Sequence, residues 1–181
     1  MLSFFYDSEY IKSKQEEDYH FFGNIRHPIP TWKYVMDCFE LSLKEDIKQK
    51  ENDQHKPCIR ELENYGFVIQ KLFFDDYLNN FKDSIEYSHS NHRKNNQVFS
   101  AHIFTSFSSI SKTFGLHTDT MDVWCWQIVG ETQFTVLGKR DKFEKILTPG
   151  ELIYVPRGME HDTKPLGPRA LISFCLEDLK C

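Results

Sequence analysis

What this sequence lacks narrows its destination before any motif is read. Its five cysteines, Cys38, Cys58, Cys125, Cys175 and Cys181, are odd in number and form no CxxC pair. That argues against a disulfide framework and for a reducing compartment. No apolar run approaches the ~18 residues that a bilayer-spanning helix needs. The N-terminal MLSFFYDSEYIKSKQEEDYH has no basic segment leading into an apolar one, so no export signal is read there. An excess of cations is also missing: 22 Lys and Arg stand against 27 Asp and Glu, for a net charge of −5. A chain of that balance carries no electrostatic footprint for nucleic acid. Internal repeats and low-complexity tracts are absent as well. The expectation is a soluble, cytoplasmic protein with neither a membrane nor a nucleic-acid partner. Oligomeric state has no signal here.

What is present is core material. Of 181 residues, 40% are hydrophobic and 15% aromatic, sixteen of them Phe. This suits one domain over 1–181, which can bury about two-thirds of its extended surface. Its two parts differ in pattern, an α-rich stretch over 1–95 and a β-rich core over 96–181. In the first, Thr31 caps a helix whose Trp32, Val35, Met36, Phe39 and Leu43 recur at spacings of three and four. Such a stripe predicts a helix packed on the outside of a sheet. IRELENYG reads as a further helix stopped by Gly66, GFVIQKLF as a strand, and DDYLNNFKDSIEYS as a helix. His89 and His92 fall in the polar loop SHSNHRKNNQ, which reads as solvated surface with incidental histidines rather than a metal site.

From Val98 onward short strand-like runs follow one another: VFSAHIFTSF, DVWCWQIVG, TQFTVLG, KFEKIL, ELIYVP and ALISFCLE. Gly115, Gly130, Gly138, Thr148-Pro149-Gly150 and Arg157-Gly158 punctuate them, the pattern of a sandwich or barrel. Within this region His117 and Asp119 are two apart, so on extended backbone they project to one face. A second imidazole from elsewhere would complete a two-His-one-carboxylate face, the donor set of non-haem Fe(II) oxygenases. His161 is the candidate. It ends Gly150-x5-Pro156-x-Gly158-x2-His161, where Pro156 and Gly158 stop one strand and His161 begins the next, facing inward. Forty-one residues lie between Asp119 and His161, enough for several strands of a barrel.

These residues carry a resemblance. G-x5-P-x-G-x2-H is similar to the second motif of the cupin superfamily. His117-x-Asp119-x2-Asp122-Val123-Trp124-x2-Gln127-x2-Gly130 resembles the first-half pattern of the JmjC-like cupin oxygenases, the branch that includes ribosomal-protein hydroxylases. The resemblance covers about 98–177 and nothing before residue 60. It implies a double-stranded β-helix, mainly β with flanking N-terminal α-helices. It also implies Fe(II) on His117, Asp119 and His161, with 2-oxoglutarate and O2 as cosubstrates and an unidentified prime substrate, protein side chain or small molecule.

One departure stands out. Where those relatives carry a lysine for the distal carboxylate of 2-oxoglutarate, this chain has Thr132, which offers a hydrogen bond but no charge. A buried carboxylate then needs another cation. Arg169, in GPRAL eight residues after His161, is either that cation or a surface arginine after a turn. His102 stands where a cosubstrate-binding tyrosine is expected, and either donates to the cosubstrate or lines the pocket. Trp124, Trp126, Phe134 and Tyr154 read mainly as core. Two further readings stay open: a metal-dependent cupin dioxygenase or isomerase that does not use 2-oxoglutarate, and a non-catalytic ligand-binding cupin.

Overall fold

The computed structural model describes residues 3–49, 66–69, 76–89 and 97–178. A 3-10 turn (Ser3–Tyr6) and α1 (Ser8–Gln15) lead into β1 (His20–Asn24), then α2 (Trp32–Gln49), β2 (Phe67–Ile69) and α3 (Asp76–His89). Seven strands follow: β3 (Gln97–Ser106), β4 (Asp122–Val129), β5 (Thr132–Leu137), β6 (Lys142–Leu147), β7 (Glu151–Val155), β8 (His161–Pro165) and β9 (Arg169–Asp178). The helix expected over 59–65 lies outside the described residues, as do His92 and the side chain of His89.

Two antiparallel sheets face each other, one ordered β1-β7-β4-β9-β3-β2 and the other β6-β5-β8. A bridge between His117 and His161 adds the segment before β4 to the free side of β8. The chain from β3 to β9 therefore crosses between the sheets at nearly every strand, and only the β5–β6 hairpin stays on one side. That winding is a double-stranded β-helix, as expected from the motifs.

Burial explains the sequence patterns. In β4 every residue from Val123 to Ile128 is buried, because the larger sheet is covered on both faces. Trp124 and Trp126 face outward into a core with Phe5, Tyr10, Leu78 and Phe81 from the N-terminal segments, whereas Val123 and Cys125 face inward. In β5 and β6 burial alternates, since their other face meets water.

Helix α2 packs against that outer core through Trp32, Tyr34, Cys38 and Phe39, with Val35 buried. Met36, expected in the stripe, is instead 48% exposed. At 100° per residue the contact face runs through 32, 35, 38 and 39, and this leaves Met36 at its solvent edge. Leu43 has no described side chain. Two elements went unforeseen. Helix α1 is capped by Asp7, whose carboxylate accepts from the Glu9 N–H at 2.7 Å. Strand β1 extends the large sheet by pairing with β7.

Candidate metal centre

Exposure alternates residue by residue from Thr113 to Thr120, and His117 and Asp119 share the less exposed, inner side. His117 and His161 exchange backbone hydrogen bonds of 3.0 and 2.8 Å, placing the two histidines directly opposite. The turn after β7 fixes the third member: the Gly158 N–H donates to the Asp119 carbonyl at 2.8 Å. Asp122 holds that turn in place by accepting from the Arg157 N–H at 3.0 Å. The two sequence motifs are thus joined by main-chain hydrogen bonds at the point where their side chains meet.

The donor atoms of His117, Asp119 and His161 lie within 4.8 Å of one another. His161 Nε2 is 3.5 Å from Asp119 Oδ2, and His117 Nε2 is 3.9 Å from Asp119 Oδ1. Each histidine turns its other nitrogen to a backbone carbonyl: His117 Nδ1 donates to Gly115 O at 2.8 Å and His161 Nδ1 to Met159 O at 3.1 Å. A carbonyl only accepts, so both protons sit on Nδ1 and both Nε2 lone pairs point inward. This is the outer-shell arrangement of a metal-binding imidazole. His161 is nearly buried, and burial lowers its pKa, so it offers a neutral ring at pH 7. Phe134 stacks parallel to it at 6.1 Å. Two imidazoles presenting Nε2 and one carboxylate fit a divalent first-row metal, and the cluster opens on a cavity of about 290 Å³.

Opposite the cluster, the cavity wall is the inner face of the large sheet: His102 and Phe104 on β3, Cys125 on β4, Ser173 and Cys175 on β9. His102 is paired across the sheet with Ser173, and its Nε2 lies 3.3 Å from Ser100 Oγ. Burial pushes the Cys125 thiol up, so it stays protonated.

Arg169 is not in that wall. It is 5% exposed and lines an adjacent cavity of about 220 Å³ that shares Val68, Phe104, Phe114 and Thr163 with the first. Its guanidinium donates to Thr132 Oγ1 at 2.9 Å, Thr163 O at 3.3 Å and Ser106 Oγ at 3.4 Å. Burial lowers its pKa to about 10, which leaves it cationic at pH 7. Among the described residues no carboxylate forms an ion pair with it. Thr132 is fully buried and lines neither cavity; its hydroxyl donates to Gln127 Oε1 at 2.7 Å and accepts from Arg169. It sits behind the arginine rather than in the cavity wall. Sequence reasoning assigned no role to Gln127, whose contacts depend on folding.

Fold and cluster together define a cupin-type double-stranded β-helix with a two-His-one-carboxylate site. No protein-family model and no curated protein matches the sequence. Among solved structures, the chain is similar to YcfD, a ribosomal oxygenase from Escherichia coli, at 17% identity and a TM-score of 0.48. The alignment covers 72% of this chain and 35% of that one, so the chain spans about a third of YcfD. YcfD in complex with cobalt and 2-oxoglutarate aligns at 18% identity and a TM-score of 0.45, over 72% and 36% of the two chains. A cupin superfamily protein from Desulfitobacterium hafniense aligns at 16% identity and a TM-score of 0.44, over 71% of this chain and 97% of that one.

Proposed function

We propose that this protein is an Fe(II)- and 2-oxoglutarate-dependent oxygenase that hydroxylates a protein side chain or a small molecule. The observation that carries the reading is the pairing of two features. A facial donor set with both Nε2 atoms directed inward opens on one cavity, and a buried arginine with no acid partner among the described residues lines the next.

In this reading His117, Asp119 and His161 hold the metal, and the carbonyls of Gly115 and Met159 keep the imidazoles oriented. Bound there, Fe(II) supplies the redox chemistry by which O2 converts 2-oxoglutarate to succinate and CO2 and oxidises a substrate C–H to C–OH. Arg169 receives the distal carboxylate across the wall that the two cavities share, as a bidentate guanidinium does well. Val68, Phe104, Phe114 and Thr163 border both cavities and would flank the cosubstrate between them. His102 and Ser173 offer polar contacts opposite the metal.

The test is 2-oxoglutarate turnover without prime substrate. Release of CO2 from 1-labelled 2-oxoglutarate that needs Fe(II) and disappears in Asp119→Ala supports the reading. A second reading, a metal-dependent cupin that does not use 2-oxoglutarate, is favoured by one observation, the separation of Arg169 from the metal cavity. Tight metal binding with no 2-oxoglutarate consumption or binding would select it.

A further inference from the structure

Gln127 is fully buried on the inner face of β4, and its hydrogen bonds have only one possible direction. Its side-chain nitrogen lies 2.8 Å from Val129 O, 3.0 Å from Gly130 O and 3.4 Å from Ala170 O. Three carbonyls can only accept, so this end of the amide is the NH2 and the other end is the oxygen. Gln127 Oε1 must therefore accept, and it takes the Thr132 hydroxyl proton at 2.7 Å. With its proton committed, the Thr132 oxygen has lone pairs left, and one accepts from Arg169 Nη1 at 2.9 Å. If the amide were flipped, NH2 would face the threonine. The hydroxyl could then point its proton at the guanidinium, donor against donor.

We infer that Gln127 is a positioning residue for anion capture: acting through Thr132, it holds the Arg169 guanidinium in place for the distal carboxylate of a 2-oxo diacid. This rests on the reading of Arg169 given above. A buried arginine has five N–H donors and a long, flexible stem. Three donors are engaged by Ser106, Thr132 and Thr163, all through neutral acceptors. Among the described residues no carboxylate pairs with it directly, although Asp162 acts on it at longer range, and its two remaining donors are available to a carboxylate. The relay is anchored in backbone at both ends, since Ala170, which accepts from Gln127, follows Arg169 on β9. Thr132 thus replaces a charged contact with a directional one, handing the cosubstrate's charge to Arg169.

The experiment compares two probes under anaerobic Fe(II) conditions, 2-oxoglutarate and 2-oxovalerate. The second keeps the metal-chelating end but lacks the distal carboxylate. Arg169→Met should weaken 2-oxoglutarate and leave 2-oxovalerate unchanged. Gln127→Met and Thr132→Val should each do the same by about tenfold, the scale of outer-shell effects on a held group. Their combination should be no worse than either alone, because one relay is broken once. Thr132→Ser should bind as wild type. If Arg169→Met is selective but Gln127→Met and Thr132→Val change neither probe, the relay is overturned and the arginine reading stands. Equal weakening of both probes marks a purely structural role and also overturns the relay. If Arg169→Met affects neither probe, the arginine reading itself is wrong. Should Gln127→Met fail to fold, the nearly isosteric Thr132→Val decides.

Discussion

Two ring protons decide what the His117–Asp119–His161 cluster can bind. Because Gly115 O and Met159 O hold them on Nδ1, both Nε2 atoms are free and face the carboxylate. Replacing any of the three with alanine is expected to lower metal affinity by at least the ~100-fold that outer-shell losses alone can reach. Titration with Fe(II) or Mn(II) under argon measures it. The Cys125 thiol lines the same cavity but is kept protonated by burial, so Cys125→Ala should leave metal affinity and stoichiometry as they are. A loss of stoichiometric binding in that variant would show a ligand set different from the one described. The gathering of His117, Asp119 and His161 was legible in the sequence because two motifs, each resembling a known pattern, carry them. The Gln127 relay was not, since its meaning lies in hydrogen-bond directions between β4, β5 and β9.

At the scale of elements, the turn between β4 and β5 is tied to the start of β9. Gly130 has φ +66°, and a Cβ there would lie 2.1 Å from Pro168 O. Gly130→Ala therefore costs the ~1–2 kcal/mol of left-handed backbone plus whatever shift relieves the clash. That shift moves Pro168 and, with it, Arg169. Lower stability in a denaturant melt and weakened 2-oxoglutarate binding are expected together. The N-terminal part grips the barrel at a second place. Asp18, buried between α1 and β1, accepts from Arg140 Nε at 2.6 Å, Tyr19 N at 3.0 Å and Lys139 N at 3.2 Å. Burial alone would raise its pKa, but the Arg140 hydrogen bond, the two N–H donors and the Arg140 charge outweigh it and hold the group below its ordinary 3.8. A depressed folded pKa stabilises at pH above ~4, and that contribution fades as pH falls through the folded value. Asp18→Asn should thus destabilise by about 1–3 kcal/mol at pH 7, with the gap to wild type closing below pH ~4 in urea melts. A gap that persisted at low pH would sink the assignment. The β5 and β6 strands of this hairpin were legible as short β-rich runs with Gly/Pro punctuation. Helix α1 and β1 were not, because their apolar residues gain partners only by wrapping the finished sheet.

Seen whole, the molecule divides its burial between two cores on opposite faces of one sheet. The outer core, with Trp124, Trp126, Phe81 and Phe174, braces the sheet against the helices. The inner one leaves room for chemistry, and there the sheet presents His102, Cys125 and Ser173 beside the apolar Phe104 and Leu171. Which sheet is covered on both sides shows in the continuous burial of β4 against the alternation of β5 and β6. That Arg169 would line a neighbouring cavity could not be read from its position in the chain. It follows from β9 starting beside Ser106 of β3, across from the small sheet. The most direct measurement of the central claim is the visible spectrum of the protein under argon with one equivalent of Fe(II) and then 2-oxoglutarate. A weak metal-to-ligand charge-transfer band that appears on adding 2-oxoglutarate and is lost in His161→Ala is the predicted result. Stoichiometric Fe(II) binding with no band at saturating 2-oxoglutarate would contradict the account.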